Sequence, residues 1–242
     1  MMFSHFLLDA FHWSQLLQPQ FYIEHGGLWL LLFVVFAETG LMAGFFLPGD
    51  SLLFVAGIYA HTMGDNEPGL AHQFLKLFGL GGLQNEYVDL IVLWGLISLM
   101  GILGNMAGFW FGKKSGPFLY ERKDSFLFKK KYLMQAHDFY EEKGGWAVVI
   151  ARFVPIIRTF APIVAGIVGM ERKKFMYFNI IGCVAWVFLM LFGGHFLQKW
   201  IWDGFHFDLK KHLEVIVLGI VLITTAPIII KLITNKGEKT QA

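Results

Sequence analysis

Residues 151–162 read Ala-Arg-Phe-Val-Pro-Ile-Ile-Arg-Thr-Phe-Ala-Pro and carry the most informative pattern in the chain. Arg152 and Arg158 lie six residues apart in an apolar segment that Pro155 and Pro162 interrupt. A charge at the centre of a bilayer costs roughly 2.5–3.5 kcal/mol on insertion scales, so such residues normally face each other or a cavity. The pattern therefore indicates a buried polar site inside a membrane protein.

An earlier apolar segment carries the opposite charges. Glu38 lies in its middle, and Asp50 follows Pro48 and Gly49. Acids in one membrane segment and bases in another are expected to face each other and to mark a path for an ion, a proton or a charged substrate. Two plainer readings stay open. The arginines would only neutralise the acids as buried ion pairs, and Asp50 would only cap the helix that follows it.

The composition is that of an integral membrane protein. Apolar residues make up 56% of the 242 residues and charged ones 16%, against about 25% charged in an average soluble protein. The single cysteine, Cys183, excludes an intrachain disulfide, and the histidines show no i, i+4 pairing that would favour a metal site. We therefore expect no metal, no cofactor and no nucleic-acid partner.

The distribution of charge predicts the orientation in the membrane. The first 75 residues contain no Lys or Arg, whereas residues 113–131 hold seven bases against two acids. Further bases lie at residues 172–174 and in the C-terminal tail. Since cytoplasmic loops are enriched in Lys and Arg, these basic regions are predicted to be cytoplasmic. The N-terminus would then lie outside and the C-terminus in the cytoplasm.

The same flanks distinguish re-entrant segments from full spans. Residues 28–63 lie between acidic flanks and residues 146–170 between basic ones, so each is predicted to enter and leave the membrane on one side as a helical hairpin. Three other segments are long enough to cross the bilayer: 88–112, 175–198 and 212–234. The predicted fold is an all-α polytopic membrane protein with two opposed re-entrant hairpins and about three full transmembrane helices.

The hairpins and spans form an inverted repeat in this scheme. A hairpin plus a span within residues 28–112 is followed by a hairpin plus a span within residues 146–198, and together they make up a membrane domain over 28–200. Inverted repeats with broken helices are common in secondary transporters, whose sites lie where the breaks meet. Residues 1–27 and 125–143 are predicted to be amphipathic segments on the outer and cytoplasmic surfaces.

The second hairpin suits an anionic headgroup. Six residues of a straight helix rotate by about 240°, so Arg152 and Arg158 converge only if Pro155 breaks the helix. Thr159 is predicted to cap the returning helix, with Pro162 in its first turn. Guanidinium groups fork onto phosphate oxygens, and a helix N-terminus adds backbone N–H donors. Both arginines and Thr159 are therefore candidate phosphate ligands.

The acids are candidate coupling residues. Burial favours a neutral carboxyl, whereas a neighbouring arginine favours a charged one. A carboxyl balanced between these effects can take up and release a proton. Glu38 and Asp50 are therefore predicted to couple transport to protons, and Pro48, Gly49, Pro155 and Pro162 to shape the hairpin tips.

Several stretches resemble the DedA family, also called the SNARE-associated or VTT-domain family. They are Tyr132–Gly169, Phe36–Glu38 with Phe46–Gly57, and the glycine-rich Gly101–Gly112. The resemblance covers roughly residues 28–200. It implies opposed re-entrant hairpins, a bacterial inner-membrane location and lipid translocation. Bacterial members are linked to recycling of undecaprenyl phosphate and eukaryotic relatives to phospholipid scrambling.

The resemblance also assigns residues. The essential acids of the family match Glu38 and Asp50, and its essential arginines match Arg152 and Arg158. Two positions depart from the family pattern: Ile156 stands where many relatives have glycine, and Asn105 stands where the family often has an acid.

Three classes of function follow. The favoured one is a carrier for a lipid phosphate, with membrane lipids and protons or cations as further partners. The second is a proton- or cation-coupled exporter of small solutes that uses the same charges. The third is an enzyme acting on lipid phosphates, but no histidine lies near Arg152 or Arg158 in the sequence, so transport is expected rather than catalysis. A homo-oligomer and a monomer are both open.

Overall fold

The computed structural model describes residues 19–41, 49–60, 70–79, 85–121, 130–205 and 209. The regular elements within these residues are all α-helices: α1 Pro19–Gly40, α2 Gly49–Tyr59, α3 His72–Leu77, α4 Glu86–Glu121, α5 Lys130–Lys143, α6 Trp146–Ala151, α7 Pro155–Ile167 and α8 Arg172–Phe205. Several predicted features lie outside the described residues: most of the N-terminal segment, Pro48 of the first predicted hairpin tip, residues 125–129 and the span 212–234.

Two helices are long enough to cross a bilayer. The 36 residues of α4 and the 34 residues of α8 extend for about 50 Å each at 1.5 Å per residue, more than the roughly 30 Å of a hydrocarbon core. Their apolar stretches run over Glu86–Phe118 and Arg172–Phe205. The predicted spans 88–112 and 175–198 lie within these two helices.

The other apolar helices are short. Helix α1 bends at Gly27, whose φ of 53° is in the left-handed region, and its apolar part is Gly27–Gly40. Helices α2 and α7 have 11 and 13 residues, which at 1.5 Å per residue corresponds to about 16–20 Å. A helix of that length does not cross a hydrocarbon core by itself.

The four short helices of the bundle pack on the two long ones in a regular way. In the first half of the chain, α1 packs mainly on α4 and α2 mainly on α8. In the second half, α6 packs mainly on α8 and α7 mainly on α4. In each half the first short helix thus contacts the long helix that follows it, and the second contacts the long helix of the other half.

Glycines permit these helices to approach closely, as small residues do in membrane bundles. A Cβ at Gly112 of α4 would collide with the backbone of Ile163 in α7. A Cβ at Gly57 of α2 would likewise collide with the backbone of Leu191 in α8. This close packing brings the end of α1, the start of α2, the end of α6 and the start of α7 towards one region between the long helices.

Helix α5 joins this bundle through one aromatic side chain. Tyr140 is buried, and its hydroxyl donates to the carbonyl oxygen of Ala161 at 3.0 Å. Burial raises the pKa of the Tyr140 phenol. The neighbouring Phe139 is exposed, so one face of α5 contacts the bundle while the other does not.

Candidate functional site

The second half of the site forms around a break between α6 and α7. Helix α6 ends at Ala151, Val154 is extended (φ −111°, ψ 110°), and α7 begins with Pro155 at its first position. An extended conformation is what a proline imposes on the residue before it, and proline itself is well suited to start a helix. The chain therefore turns over residues 152–154, and the predicted break at Pro155 is found.

The prediction that Thr159 caps the returning helix is wrong. Because α7 begins at Pro155, Thr159 lies inside the helix, and no side chain caps its N-terminus. Pro162 also lies inside α7 rather than in its first turn or at the tip. It has no N–H to donate to the carbonyl of Arg158 four residues earlier. Thr159 is nonetheless buried and lines the cavity described below.

Arg158 forms ion pairs with both acids from the first half of the chain. Its Nη2 donates to Oε1 of Glu38 at 2.7 Å, and its Nη1 is paired with Oδ1 of Asp50. All three side chains are largely buried. Asp50 lies within the first turn of α2 rather than before it, where a negative charge suits the helix dipole. These pairs join the two halves of the chain.

Arg152 has a different environment. Its Nη2 donates to Oδ1 of Asn179 at 2.7 Å, and the same oxygen accepts from Nδ2 of Asn105 at 2.8 Å. Asn179 in turn donates to the carbonyl of Ile102 at 3.4 Å. Arg152 is only 8% exposed, and its Nε has no hydrogen-bond partner. Among the described residues, no carboxylate lies within ion-pair distance of it.

These groups line one small cavity. The cavity has a volume of about 30 Å³ and is bounded by the two arginines, the two acids and Thr159, together with Asn105, Cys183 and Trp186. That volume holds about two water molecules, but no lipid headgroup. In this structure both acids are paired with Arg158, and Arg152 donates to the amide of Asn179.

Sequence reasoning missed Trp186 and Asn179. The indole Nε1 of Trp186 donates to Oδ1 of Asp50 at 3.2 Å, and the Arg158 guanidinium lies 5.8 Å from the centre of its ring. The ring of Phe153, at the break, meets the indole edge-on at 5.3 Å. The neighbouring sequence does not reveal the partner of a tryptophan or of a lone asparagine in an apolar helix. The only sign of a functional role is that a polar group lies in an otherwise apolar segment.

The start of α2 requires glycine at position 49, because the Glu38 carboxylate lies against it. A Cβ at this position would overlap the Glu38 carboxylate. Gly49→Ala is expected to displace that carboxylate from Arg158 and to lower the free energy of unfolding by about 1–3 kcal/mol. The measurement is thermal unfolding of the purified protein in detergent. Gly95→Ala on α4 is the matched control, because no atom lies within 4 Å of a Cβ there. Equal melting temperatures for the two variants would contradict this contact.

The fold and the site define a class: an integral helical membrane protein with a compact, buried cluster of charges between its helices. The family model for the VTT domain matches residues 47–196, and the chain belongs to that family, which includes the DedA proteins. It is 32% identical to Protein DedA of Escherichia coli K12 over 219 residues, 89% of this chain and 88% of that protein.

Two other relatives are named as membrane proteins. An uncharacterised membrane protein of Mycobacterium tuberculosis is 34% identical over 200 residues, 83% of this chain and 76% of that protein. The inner membrane protein YqjA of Escherichia coli K12 is 29% identical over 176 residues, 72% of this chain and 69% of that protein. No solved structure matches the chain significantly.

Proposed function

We propose that the protein translocates a lipid phosphate across the bacterial inner membrane, with Arg152, Arg158 and Thr159 as ligands of the phosphate. The observation that carries this proposal is the buried guanidinium of Arg152, whose Nη2 donates to the neutral amide of Asn179 and whose Nε has no hydrogen-bond partner. Burying a cation without a counter-ion is costly. Such a group suits a site whose counter-ion arrives with the substrate.

The charges of the site suggest how a proton takes part. With Glu38 and Asp50 ionised, the two acids and the two arginines sum to zero. A phosphate monoester adds a charge of about −1.5 to −2 near neutral pH. Uptake of a proton by Glu38 offsets part of this negative charge. The neutral Glu38 carboxyl then separates from Arg158, which leaves the guanidinium free to bind the phosphate. Proton binding and phosphate binding are therefore coupled in the proposed mechanism.

The membrane arrangement is part of the same proposal. Helices α1 and α2 form one re-entrant hairpin, and α6 and α7 form the other. In each pair, one helix packs mainly on α4 and the other mainly on α8. Two features support this arrangement. The helices of each pair are short, and the packing pattern is the same in both halves of the chain, as expected for an internal repeat. The inner-membrane location rests on the charge distribution and on the similarity to the inner membrane protein YqjA.

The favoured substrate is undecaprenyl phosphate, and the chemistry is transport without bond cleavage. The test uses liposomes that contain the purified protein and a fluorescent polyprenyl phosphate, whose outer-leaflet pool is bleached by dithionite. We expect the protein to expose the inner-leaflet pool to bleaching without releasing inorganic phosphate. A polyprenol without the phosphate is the matched lipid and should not move faster than in protein-free vesicles.

Each other outcome rejects the proposal. Release of inorganic phosphate would indicate an enzyme. Proton flux without movement of the labelled lipid would favour the coupled exporter of small solutes. Equal rates for the polyprenol and its phosphate would show that the arginines do not recognise the headgroup.

A further inference from the structure

A second concave region lies on α4, away from the charged cavity. It is a groove of about 710 Å³ lined by Phe36 of α1, by side chains of α4 and by Arg172 of α8. On α4, Leu103, Met106 and Trp110 recur at the spacing of one helical face. The α4 residues that line the central cavity, Gly101 and Asn105, lie on a different face.

The groove combines an apolar wall with two positive charges, which complements an anionic lipid. Its lining is apolar from Phe36 to Trp110, and the charged groups in it are both cations, Lys113 and Arg172. Lys113 follows the apolar residues of the groove along α4, and Arg172 is the first residue of α8. The apolar wall therefore ends where the two cations begin, which is the order of an acyl chain and an anionic headgroup.

The volume of the groove and the location of its two cations also fit an anionic lipid. The volume lies within the roughly 300–1,000 Å³ of sites for small organic ligands. Lys113 and Arg172 belong to the basic clusters that the charge rule assigns to the cytoplasmic side, where anionic lipids attract basic residues. Lys114, the next residue, lies over the Trp110 ring at 5.2 Å and does not line the groove.

We propose that this groove is a binding site for an anionic glycerophospholipid, distinct from the transport site. Its phosphate is bound by Lys113 and Arg172, and an acyl chain lies along the wall from Phe36 to Trp110. The lipid lies in the groove along the surface where α1 and α4 meet. Since Phe36 precedes Glu38 by two residues, the bound lipid contacts the helix that carries this acid.

The test measures lipid binding rather than transport. The purified full chain in detergent is titrated with phosphatidylglycerol and, separately, with zwitterionic phosphatidylcholine, and bound lipid is counted by native mass spectrometry. The double variant Lys113→Gln/Arg172→Gln is expected to weaken phosphatidylglycerol binding at least roughly tenfold. The control Lys114→Gln/Lys173→Gln removes the same charge from adjacent residues that do not line the groove, and it should bind like the unaltered protein.

A third variant tests the apolar wall. Ala107→Phe fills the groove and should reduce binding with both cations intact. Equal binding by all variants, or equal affinity for phosphatidylcholine, would overturn the proposal. So would a dimer that Ala107→Phe dissociates, since the groove would then hold a second copy of the chain. Translocation of the polyprenyl phosphate is a separate readout, so failure here leaves the proposed function standing.

Discussion

Arg158→Gln is expected to lower the free energy of unfolding by about 3–5 kcal/mol and to abolish lipid translocation. The change leaves Glu38 and Asp50 buried without the guanidinium that pairs with both. Truncating one partner of a buried ion pair is costly because the remaining charge has no compensation. The measurement is denaturant or thermal unfolding in detergent, with translocation measured on the same preparation.

Two comparisons make this prediction specific. Arg152→Gln removes a buried cation that has only neutral partners, so its stability should stay within about 1 kcal/mol of the unaltered protein. Adding Glu38→Gln and Asp50→Asn to Arg158→Gln should restore most of the stability but not the translocation. Equal destabilisation by the two arginine changes would show that the pairing described here is wrong.

Asn179→Asp is expected to slow translocation roughly 10- to 100-fold, which corresponds to about 1.4–2.8 kcal/mol, while the protein stays folded. Oδ1 of Asn179 accepts from Arg152 at 2.7 Å, so a carboxylate there pairs with the cation that we assign to the substrate. The phosphate must then displace an internal anion. The measurement is the dithionite assay at several lipid concentrations.

The matched control is Asn179→Ala, which removes the acceptor without adding a charge. It should slow translocation less than Asn179→Asp does, because Arg152 remains available to the phosphate. If the alanine variant is slower than the aspartate variant, Asn179 acts by positioning Arg152 alone, and the idea of an uncommitted cation fails.

The sequence revealed the charged residues but not their pairing. The cost of charge in a bilayer singles out Glu38, Asp50, Arg152 and Arg158 without any coordinates. It does not say that Arg158 pairs with both acids while Arg152 donates to Asn179, since these contacts depend on side chains from four helices and from the break after α6. Asn179 is 27 residues from Arg152, and nothing local in the sequence connects them.

The break between α6 and α7 was predictable, but its consequence for Thr159 was not. Pro155 marked the interruption correctly, yet the same proline can end one helix or begin the next. The structure uses it as the first residue of α7, which places Thr159 and Pro162 inside that helix. The groove beside Trp110 could not be predicted from the sequence either, because it depends on which face of α4 the neighbouring helices leave uncovered.

The most direct test of the account is the initial rate at which Arg152→Gln translocates the labelled polyprenyl phosphate. The variant and the unaltered protein are reconstituted in equal amounts, and their unfolding is compared beforehand. We predict that Arg152→Gln is as stable as the unaltered protein and moves the lipid no faster than protein-free vesicles do. A folded Arg152→Gln protein that translocates at the unaltered rate would contradict the assignment of this buried guanidinium to the lipid phosphate.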